Sequence, residues 1–178
     1  GGQYTYLLNN SITGNVSTAD DASYGGGYLT YIRNNSITGN SNFSNNGSNI
    51  LAEADIIGSD NIYNGNVTFN GAGGPLLIGF GAPLQCTGNV TINRTAAGST
   101  SAFYAGANIS GNFSYTNNTA GETGFGNLAY KTSIGGTINI AANFNTPNNF
   151  GMHRLVNQTD GGSITVTNSS GFSVSRTA

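Results

Sequence analysis

The side chains that could do acid–base or metal chemistry are concentrated in one segment, which contains Glu53, Asp55 and Asp60. Glu53 and Asp55 are two residues apart, so within a strand they lie on the same face of the sheet. Two carboxylates on one face can bind Ca²⁺ or act as an acid–base pair. The alternative is a solvated outer face with Arg33, from a neighbouring turn of the chain, as the partner of these acids. The segment is therefore a candidate metal site with a structural alternative.

Two other reactive residue types each occur once, as His153 and Cys86. A single histidine cannot build a metal cluster, and we expect His153 to be a structural or surface residue of a strand. Cys86 follows Leu84 by two residues in an apolar alternation, which predicts a small buried hydrophobic side chain. The charged residues, 7 per cent of the chain, are too sparse for the clustered acids and bases of a catalytic groove. We therefore expect no enzymatic activity and no cofactor.

Charge and hydropathy also limit the classes of molecule that the protein is expected to bind. The net charge is −2 with only 5 basic residues, which is too few for the basic stripe that nucleic acid or an anionic membrane surface requires. There is no run of about 18 apolar residues, so no membrane insertion is expected. The abundance of Asn, Thr and Gly, with little Lys or Glu, is typical of secreted and cell-surface proteins, and we expect an extracellular location.

Any functional side chain must be positioned by a repeat that runs through the whole chain. Its best copy is Gly65-Asn66-Val67-Thr68-Phe69, and a new copy begins every 23 to 26 residues. This period is typical of solenoids and repeat arrays. The other copies are Gly14–Thr18, Gly39–Phe43, Gly88–Ile92 and Gly111–Tyr115, with diverged copies at Gly136–Ile140 and Gly162–Val166.

Each repeat contains three short strand patterns, which we name A, B and C. Strand A is the Gly-Asn segment, in which Val67 and Phe69 share one face while Asn66 and Thr68 share the other. The B strands are predicted at Tyr4–Leu8, Tyr28–Ile32, Ile50–Ile57, Pro75–Phe80, Ala102–Ala107, Phe125–Tyr130, Phe150–Val156 and Phe172–Arg176. The C strands are predicted at Ser11–Thr13, Ser36–Thr38, Asn61–Tyr63, Leu84–Cys86 and Asn108–Ser110.

Three strands and three turns in about 24 residues describe one coil of a triangular parallel β-helix. The sequence thus predicts an all-β fold, a β-solenoid of about seven coils that forms a single domain over residues 1–178. No window has the 3.6-residue period of a helical repeat. Stacked coils would align like side chains, with apolar ladders inside and asparagine amide ladders at the turns. Glycine is expected where a corner requires a positive φ.

The recurring Gly-Asn-Val-Thr-Ile/Phe strands, the low charge and the Asn-, Thr- and Gly-rich turns resemble the right-handed β-helix repeats of large secreted bacterial surface proteins of the filamentous adhesin type. The resemblance covers essentially the whole chain. It implies an elongated, extracellular, non-enzymatic protein, and it carries over no functional residue because that family has no fixed site.

The two ends of the predicted solenoid lack a capping element, because the chain opens and closes on B-type strands. An uncovered coil is an unpaired sheet edge that recruits other strands. The chain is therefore expected either to be a segment of a longer solenoid or to associate end to end into a filament.

The outward face of the A strands is the candidate binding surface. Its hydroxyls and amides could bind surface glycans, and a regular threonine array could bind ice, although the mixture of residue types argues against an ice lattice. This column contains Ser17, Asn42, Thr68, Thr91, Ser114, Asn139 and Thr165. A carbohydrate-binding or ice-binding solenoid is thus the alternative to a structural, adhesive protein. Asn66, Asn89 and Asn112 begin Asn-x-Ser/Thr sequons on the same face and are possible glycosylation sites.

Overall fold

A computed structural model describes residues 4–20, 29–45, 49–52, 61–71, 76–79, 82–95, 100–117, 123–125, 130–142, 150–152, 155–157, 164–167 and 173–174. These residues contain 22 β-strands, β1 to β22 in chain order, and no helix. The predicted all-β class is confirmed. The strands form three parallel sheets that correspond to the predicted A, B and C patterns.

Each turn of the chain adds one strand to each sheet in the order B, C, A. Sheet B contains β1 (Tyr4–Leu8), β4 (Leu29–Arg33), β7 (Asn49–Ala52), β10 (Leu76–Ile78), β13 (Thr100–Ala102), β16 (Thr123–Phe125), β19 (Phe150–Met152) and β22 (Ser173–Val174). Sheet C contains β2 (Ser11–Ile12), β5 (Ser36–Ile37), β8 (Ile62–Tyr63), β11 (Leu84–Cys86), β14 (Ala107–Ile109), β17 (Thr132–Ile134) and β20 (Leu155–Asn157). Sheet A contains β3 (Val16–Asp20), β6 (Ser41–Asn45), β9 (Val67–Gly71), β12 (Val90–Arg94), β15 (Phe113–Asn117), β18 (Ile138–Ala142) and β21 (Ile164–Thr167).

The register follows the Gly-Asn repeat. β12 lies parallel to β9 with Val90 beside Val67 and Ile92 beside Phe69, and the same pairing continues through the sheet. A shift of one residue would turn every apolar side chain outward, so the alternation fixes the pairing. The predicted parallel β-solenoid is therefore confirmed, with like strand stacked on like strand.

The core is the column of inward side chains between the three sheets. Phe43 and Phe69 stack with ring centroids 5.5 Å apart, and Tyr115 meets Phe125 edge to face at 4.9 Å. Burial of one such side chain contributes about 1.5 to 3 kcal/mol. Cys86 is also buried, as predicted. The ladder of apolar side chains predicted from the repeat is therefore present.

One predicted strand boundary is wrong at Ala102–Ala107. The B strand there is Thr100–Ala102, the chain turns through Phe103 to Gly106, and the C strand begins at Ala107. Phe103 and Gly106 have φ values of 63° and 91°, which end a strand. Phe103 is fully buried, with its ring centroid 5.0 Å from that of Phe113. In the sequence, an apolar corner residue such as Phe103, whose side chain packs into the core, cannot be told from a strand residue.

The prediction of a single strand at Phe150–Val156 is also wrong, because Phe150–Met152 belongs to sheet B and Leu155–Asn157 to sheet C. Met152 and Leu155 are both apolar, so hydropathy alone does not mark the change of sheet. Of the strand predicted at Phe125–Tyr130, the structure describes β16, Thr123–Phe125, while residues 126–129 lie outside the described part.

The repeated glycine has a different physical cause from the one expected. Gly14 has a φ of +116°, but in the following coils the limiting factor is the distance between backbones. A Cβ on Gly88 would lie 2.6 Å from the carbonyl carbon of Gly65, and one on Gly65 would lie 2.5 Å from the oxygen of Gly39. Real Cβ atoms essentially never come closer than 3.0 Å to another heavy atom. The coils therefore touch backbone to backbone at this corner, and only glycine fits.

We predict that Gly88→Ala destabilises the chain by at least about 2 kcal/mol, because the added methyl group can be accommodated only by separating two coils. Urea denaturation followed by circular dichroism measures the change. Thr87→Ala is the control, since Thr87 is exposed and its main-chain bond to Tyr63 is retained. Equal stabilities of the two variants would contradict the close-contact explanation.

Candidate functional site

The outer face of sheet A brings the predicted binding column together. Neighbouring members pair in the register of the strands, from Ser17 beside Asn42 to Asn139 beside Thr165. Ser17, Asn42 and Asn139 are exposed, whereas Thr68, Thr91 and Ser114 are half-buried. The side chain of Thr165 lies outside the described part of the structure. The described residues of the column thus form a flat, uncharged row of hydroxyls and amides.

A second outward column fixes some of these groups. The Nδ2 of Asn70 donates to the Oδ1 of Asn42 at 2.8 Å and to the Oγ of Ser44 at 3.1 Å. The Nδ2 of Asn93 donates in turn to the Oδ1 of Asn70 at 2.9 Å. Amides that are already bonded to one another have less capacity for a ligand. The hydroxyls of the face are therefore its more available groups.

The predicted glycosylation residues form a ladder, which we name the outer amide ladder. Its members, each bonded to the next coil, are Asn15, Asn40, Asn66, Asn89 and Asn112. The backbone N–H of Asn89 donates to the Oδ1 of Asn66 at 2.9 Å, and that of Asn112 donates to the Oδ1 of Asn89 at 2.8 Å. Asn66, Asn89 and Asn112 are exposed. Their first role is thus to satisfy main-chain donors at the corner between sheets C and A, as the expected amide ladders would. Their glycosylation stays a prediction.

A second asparagine ladder, of the kind expected at the turns, lies at the corner between sheets B and C. Asn35 and Asn61 are 2% and 0% exposed, and the backbone N–H of Asn35 donates to the Oδ1 of Asn61 at 3.0 Å. The backbone N–H of Asn10 bonds in the same way to Asn35 at 3.0 Å. We name Asn10, Asn35 and Asn61 the inner amide ladder. The one sequence signal for it is the identical heptapeptide Asn-Asn-Ser-Ile-Thr-Gly-Asn at residues 9–15 and 34–40.

A groove of about 280 Å³ opens outside the inner amide ladder. The same Asn-Asn-Ser triplet from two successive coils lines it, Asn9–Ser11 and Asn34–Ser36, together with Ile62. None of these residues is charged. The groove is an uncharged concavity that the sequence did not indicate, because two consecutive asparagines are typical of a turn.

The acidic candidates Glu53, Asp55 and Asp60 and the single His153 lie outside the described residues. Within the described ranges, no group of three His, Cys, Asp or Glu side chains could hold a metal ion. Cys86 is 3% exposed, and its Sγ donates weakly to the carbonyl oxygen of Gly65 at 3.4 Å. Cys86 is therefore enclosed by the fold and cannot act on a ligand in solution.

Arg94 is the unexpected polar residue of the core, with 0% of its surface exposed. Its guanidinium lies over Gly71 of the preceding coil, where a Cβ would come within 2.7 Å of Nη1. Burial lowers the pKa of Arg94 below its ordinary value, and the Tyr115 hydroxyl opposes this change. Glycine in the coil below thus makes room for a large cation inside the solenoid, out of reach of any external ligand.

None of the described segments is a helix of the length and apolarity that a membrane crossing requires.

The outer amide ladder gives a test of its structural role. We predict that Asn89→Ala lowers the free energy of unfolding by about 1 to 2 kcal/mol, because the N–H of Asn112 loses its acceptor. Asn108→Ala is the matched control, since the amide of Asn108 bonds only to the side chain of Gln85 among the described contacts; it should change stability by less than about 0.5 kcal/mol. Thermal or urea denaturation measures the stability of both variants. An Asn89→Ala variant with an unchanged free energy of unfolding would show that the outer amide ladder does not stabilise the fold.

Comparisons with known proteins were made on the whole chain. No family model, curated protein or solved structure matches it. The fold is therefore established by the strand register, and the function must be argued from the surfaces described above.

Proposed function

We propose that this chain is a structural, adhesive β-solenoid of a cell surface or extracellular filament, and that copies of the chain associate end to end. The observation that carries the proposal is the stacking of like strand on like strand, which makes the face of each coil a docking surface for another coil. An interior coil is covered on both sides by neighbouring coils. Among the described residues, the first coil, Tyr4–Asp20, is covered on one side only.

The inward side chains of this coil show the difference. Leu7, Ile12 and Val16 are only partly buried, whereas Ile32 and Ile37, the next-coil partners of Leu7 and Ile12, are at most 1% exposed. A further coil placed on this end would bury the three side chains. It would do so by the same contacts that operate inside the solenoid.

The outer amide ladder is open at the same end. The backbone N–H of Asn40 bonds to the Oδ1 of Asn15 at 2.9 Å, and the corresponding N–H of Asn15 has no acceptor among the described residues. Unpaired edge groups of this kind recruit another strand. The open edge supports pairing with a second copy of the chain.

The extracellular and adhesive parts of the proposal depend on surface chemistry. The described outward positions of sheet A are uncharged Ser, Thr, Asn and Ala, which suits contact with neutral extracellular material more than with nucleic acid. Catalysis is not part of the proposal. The resemblance to filamentous adhesin repeats points in the same direction.

The association is tested with Val16→Lys, which places a charge on the uncovered end where Val16 is only partly packed. We predict that the unmodified chain forms concentration-dependent, end-to-end oligomers and that Val16→Lys shifts them to monomer. Multi-angle light scattering and negative-stain microscopy measure the change. Ser17→Lys is the control, because Ser17 is adjacent but exposed on the outer face. An unmodified chain that stays monomeric at millimolar concentration would overturn the proposal.

Carbohydrate or ice binding on the outer face of sheet A is the second candidate function. The uncharged row from Ser17 to Asn139 favours it, although its alternation of Ser, Asn and Thr is irregular for an ice lattice. We predict that the double variant Thr68→Lys/Thr91→Lys abolishes retention on an insoluble polysaccharide, or thermal hysteresis, if the face is the binding site. Absence of both activities in the unmodified chain would eliminate this candidate.

A further inference from the structure

We propose that the groove outside the inner amide ladder binds a neutral saccharide. The groove lies at the corner between sheets B and C, so it is distinct from the outer face of sheet A. Its lining residues come from within one chain, and three of them, Asn9–Ser11, belong to the first coil, on which the proposed association would place another copy.

The outermost groups of the groove are the amides of Asn9 and Asn34. The Nδ2 of Asn34 donates to the Oδ1 of Asn9 at 2.8 Å. In the described part of the chain, this is the only hydrogen bond of either side chain, which leaves the Nδ2 of Asn9 as a donor and the Oδ1 of Asn34 as an acceptor. Because the Oδ1 of Asn9 and the Nδ2 of Asn34 are bonded to each other, the free donor and acceptor lie at the two outer ends of the amide pair, farther apart than the roughly 4.8 Å between coils. A donor and an acceptor so placed suit hydroxyl groups of neighbouring sugar rings.

The amide groups at the rear wall of the groove already have hydrogen-bond partners. The Nδ2 of Asn10 bonds to the carbonyl oxygen of Leu8 at 2.9 Å and to Asn35 at 3.1 Å. The Nδ2 of Asn35 bonds to the carbonyl oxygen of Leu7 at 2.7 Å and to Asn61 at 3.0 Å. A ligand therefore would not have to displace the inner amide ladder, which acts as a rigid support.

The exposed amides are held in place by the backbone. Asn9 and Asn34 have φ values of 56° and 54°, in the left-handed region. Asparagine is one of the few residues other than glycine that adopt this region readily. The same conformation in two successive coils presents two amides in parallel, and preorganised groups lose less entropy on binding.

The lining chemistry selects the class of ligand. The described lining residues of the groove present amides, hydroxyls and apolar atoms, and none of them is charged. A calcium ion needs carboxylate ligands, and a phosphate group is bound best by Arg or Lys. Ile62 is 44% exposed at the edge of the groove and offers an apolar surface to the C–H face of a sugar. Amides, hydroxyls and one apolar contact together favour a neutral polyhydroxyl ring.

The ligand can continue along the solenoid axis. Beside Ile62 in sheet C lies Gln85, whose Oε1 accepts from the Nδ2 of Asn108 at 3.2 Å. Further along the same corner, Tyr104 and Tyr130 are 44% and 52% exposed. Exposed aromatic rings at this corner, together with the amide beside Ile62, favour an oligosaccharide over a monosaccharide.

The test uses the double variant Asn9→Gly/Asn34→Gly. Glycine tolerates the positive φ at both positions, so the coil is retained while both amides are removed. The probes are cellopentaose, maltopentaose and chitopentaose, with oligogalacturonate as the charged comparison, and binding is followed by isothermal titration calorimetry and NMR titration. We expect at least one neutral pentasaccharide to bind, and the double variant to lose at least tenfold in affinity. We also expect the pentasaccharide to bind more tightly than its disaccharide.

Two further variants keep the result interpretable. Ile62→Ser removes the apolar contact and should weaken binding by severalfold, whereas Thr87→Ala, at the exposed corner between sheets C and A, should leave it unchanged. The proposal is overturned if no neutral oligosaccharide binds, if binding survives in the double glycine variant, or if Thr87→Ala weakens binding as much as the double variant does. Preference for oligogalacturonate, or loss of binding on chelation of divalent cations, would also overturn it.

Discussion

The spacing between coils is the constraint on which the rest of the structure depends. Parallel strands in neighbouring coils must lie about 4.8 Å apart to form their hydrogen bonds. At the corner before sheet A this spacing leaves no room for a side chain, so Gly39, Gly65 and Gly88 stack with their backbones in contact. The asparagine that follows each glycine then supplies its amide oxygen to the next coil. The two residues of the Gly-Asn pair therefore act together: the glycine permits the close contact between coils, and the asparagine accepts a hydrogen bond from the backbone N–H of the next coil.

The two amide ladders run in opposite directions. In the outer amide ladder, the backbone N–H donates to an amide of the preceding coil, as from Asn66 to Asn40. In the inner amide ladder it donates to an amide of the following coil, as from Asn35 to Asn61. Each coil is thus bonded to both neighbours through side chains as well as through the sheets. The inner amide ladder ends at Asn61, because Leu84 takes the place of asparagine in the next coil and Ala107 in the coil after it.

The sequence predicted the parts of the fold that repeat. The positions of Val67 and Phe69 in the core, and the register of their neighbours, followed from the spacing of the Gly-Asn pairs. The features that were missed depend on contacts between coils. Arg94 is buried because Gly71 lies beneath it, and this is visible only once the register is known. The groove likewise needs Asn9 and Asn34 to stack, although their separation in sequence is an entire coil. The outer column was predicted from alternation, but which of its amides are already bonded depends on diagonal contacts such as that of Asn70 with Asn42.

The identical heptapeptides at residues 9–15 and 34–40 have a consequence for folding fidelity. A chain that slipped by one complete coil would place the same seven residues in the position of the second copy, so these segments alone do not distinguish the two alignments. The distinction comes from the flanking strands, in which Leu8 aligns with Arg33 in sheet B and Thr18 aligns with Phe43 in sheet A. Phe43 contacts both Phe69 and Tyr63, and threonine in its place would leave that ring-sized space empty. The residues that flank the repeated heptapeptide, Phe43 among them, are thus what distinguishes the second coil from the first.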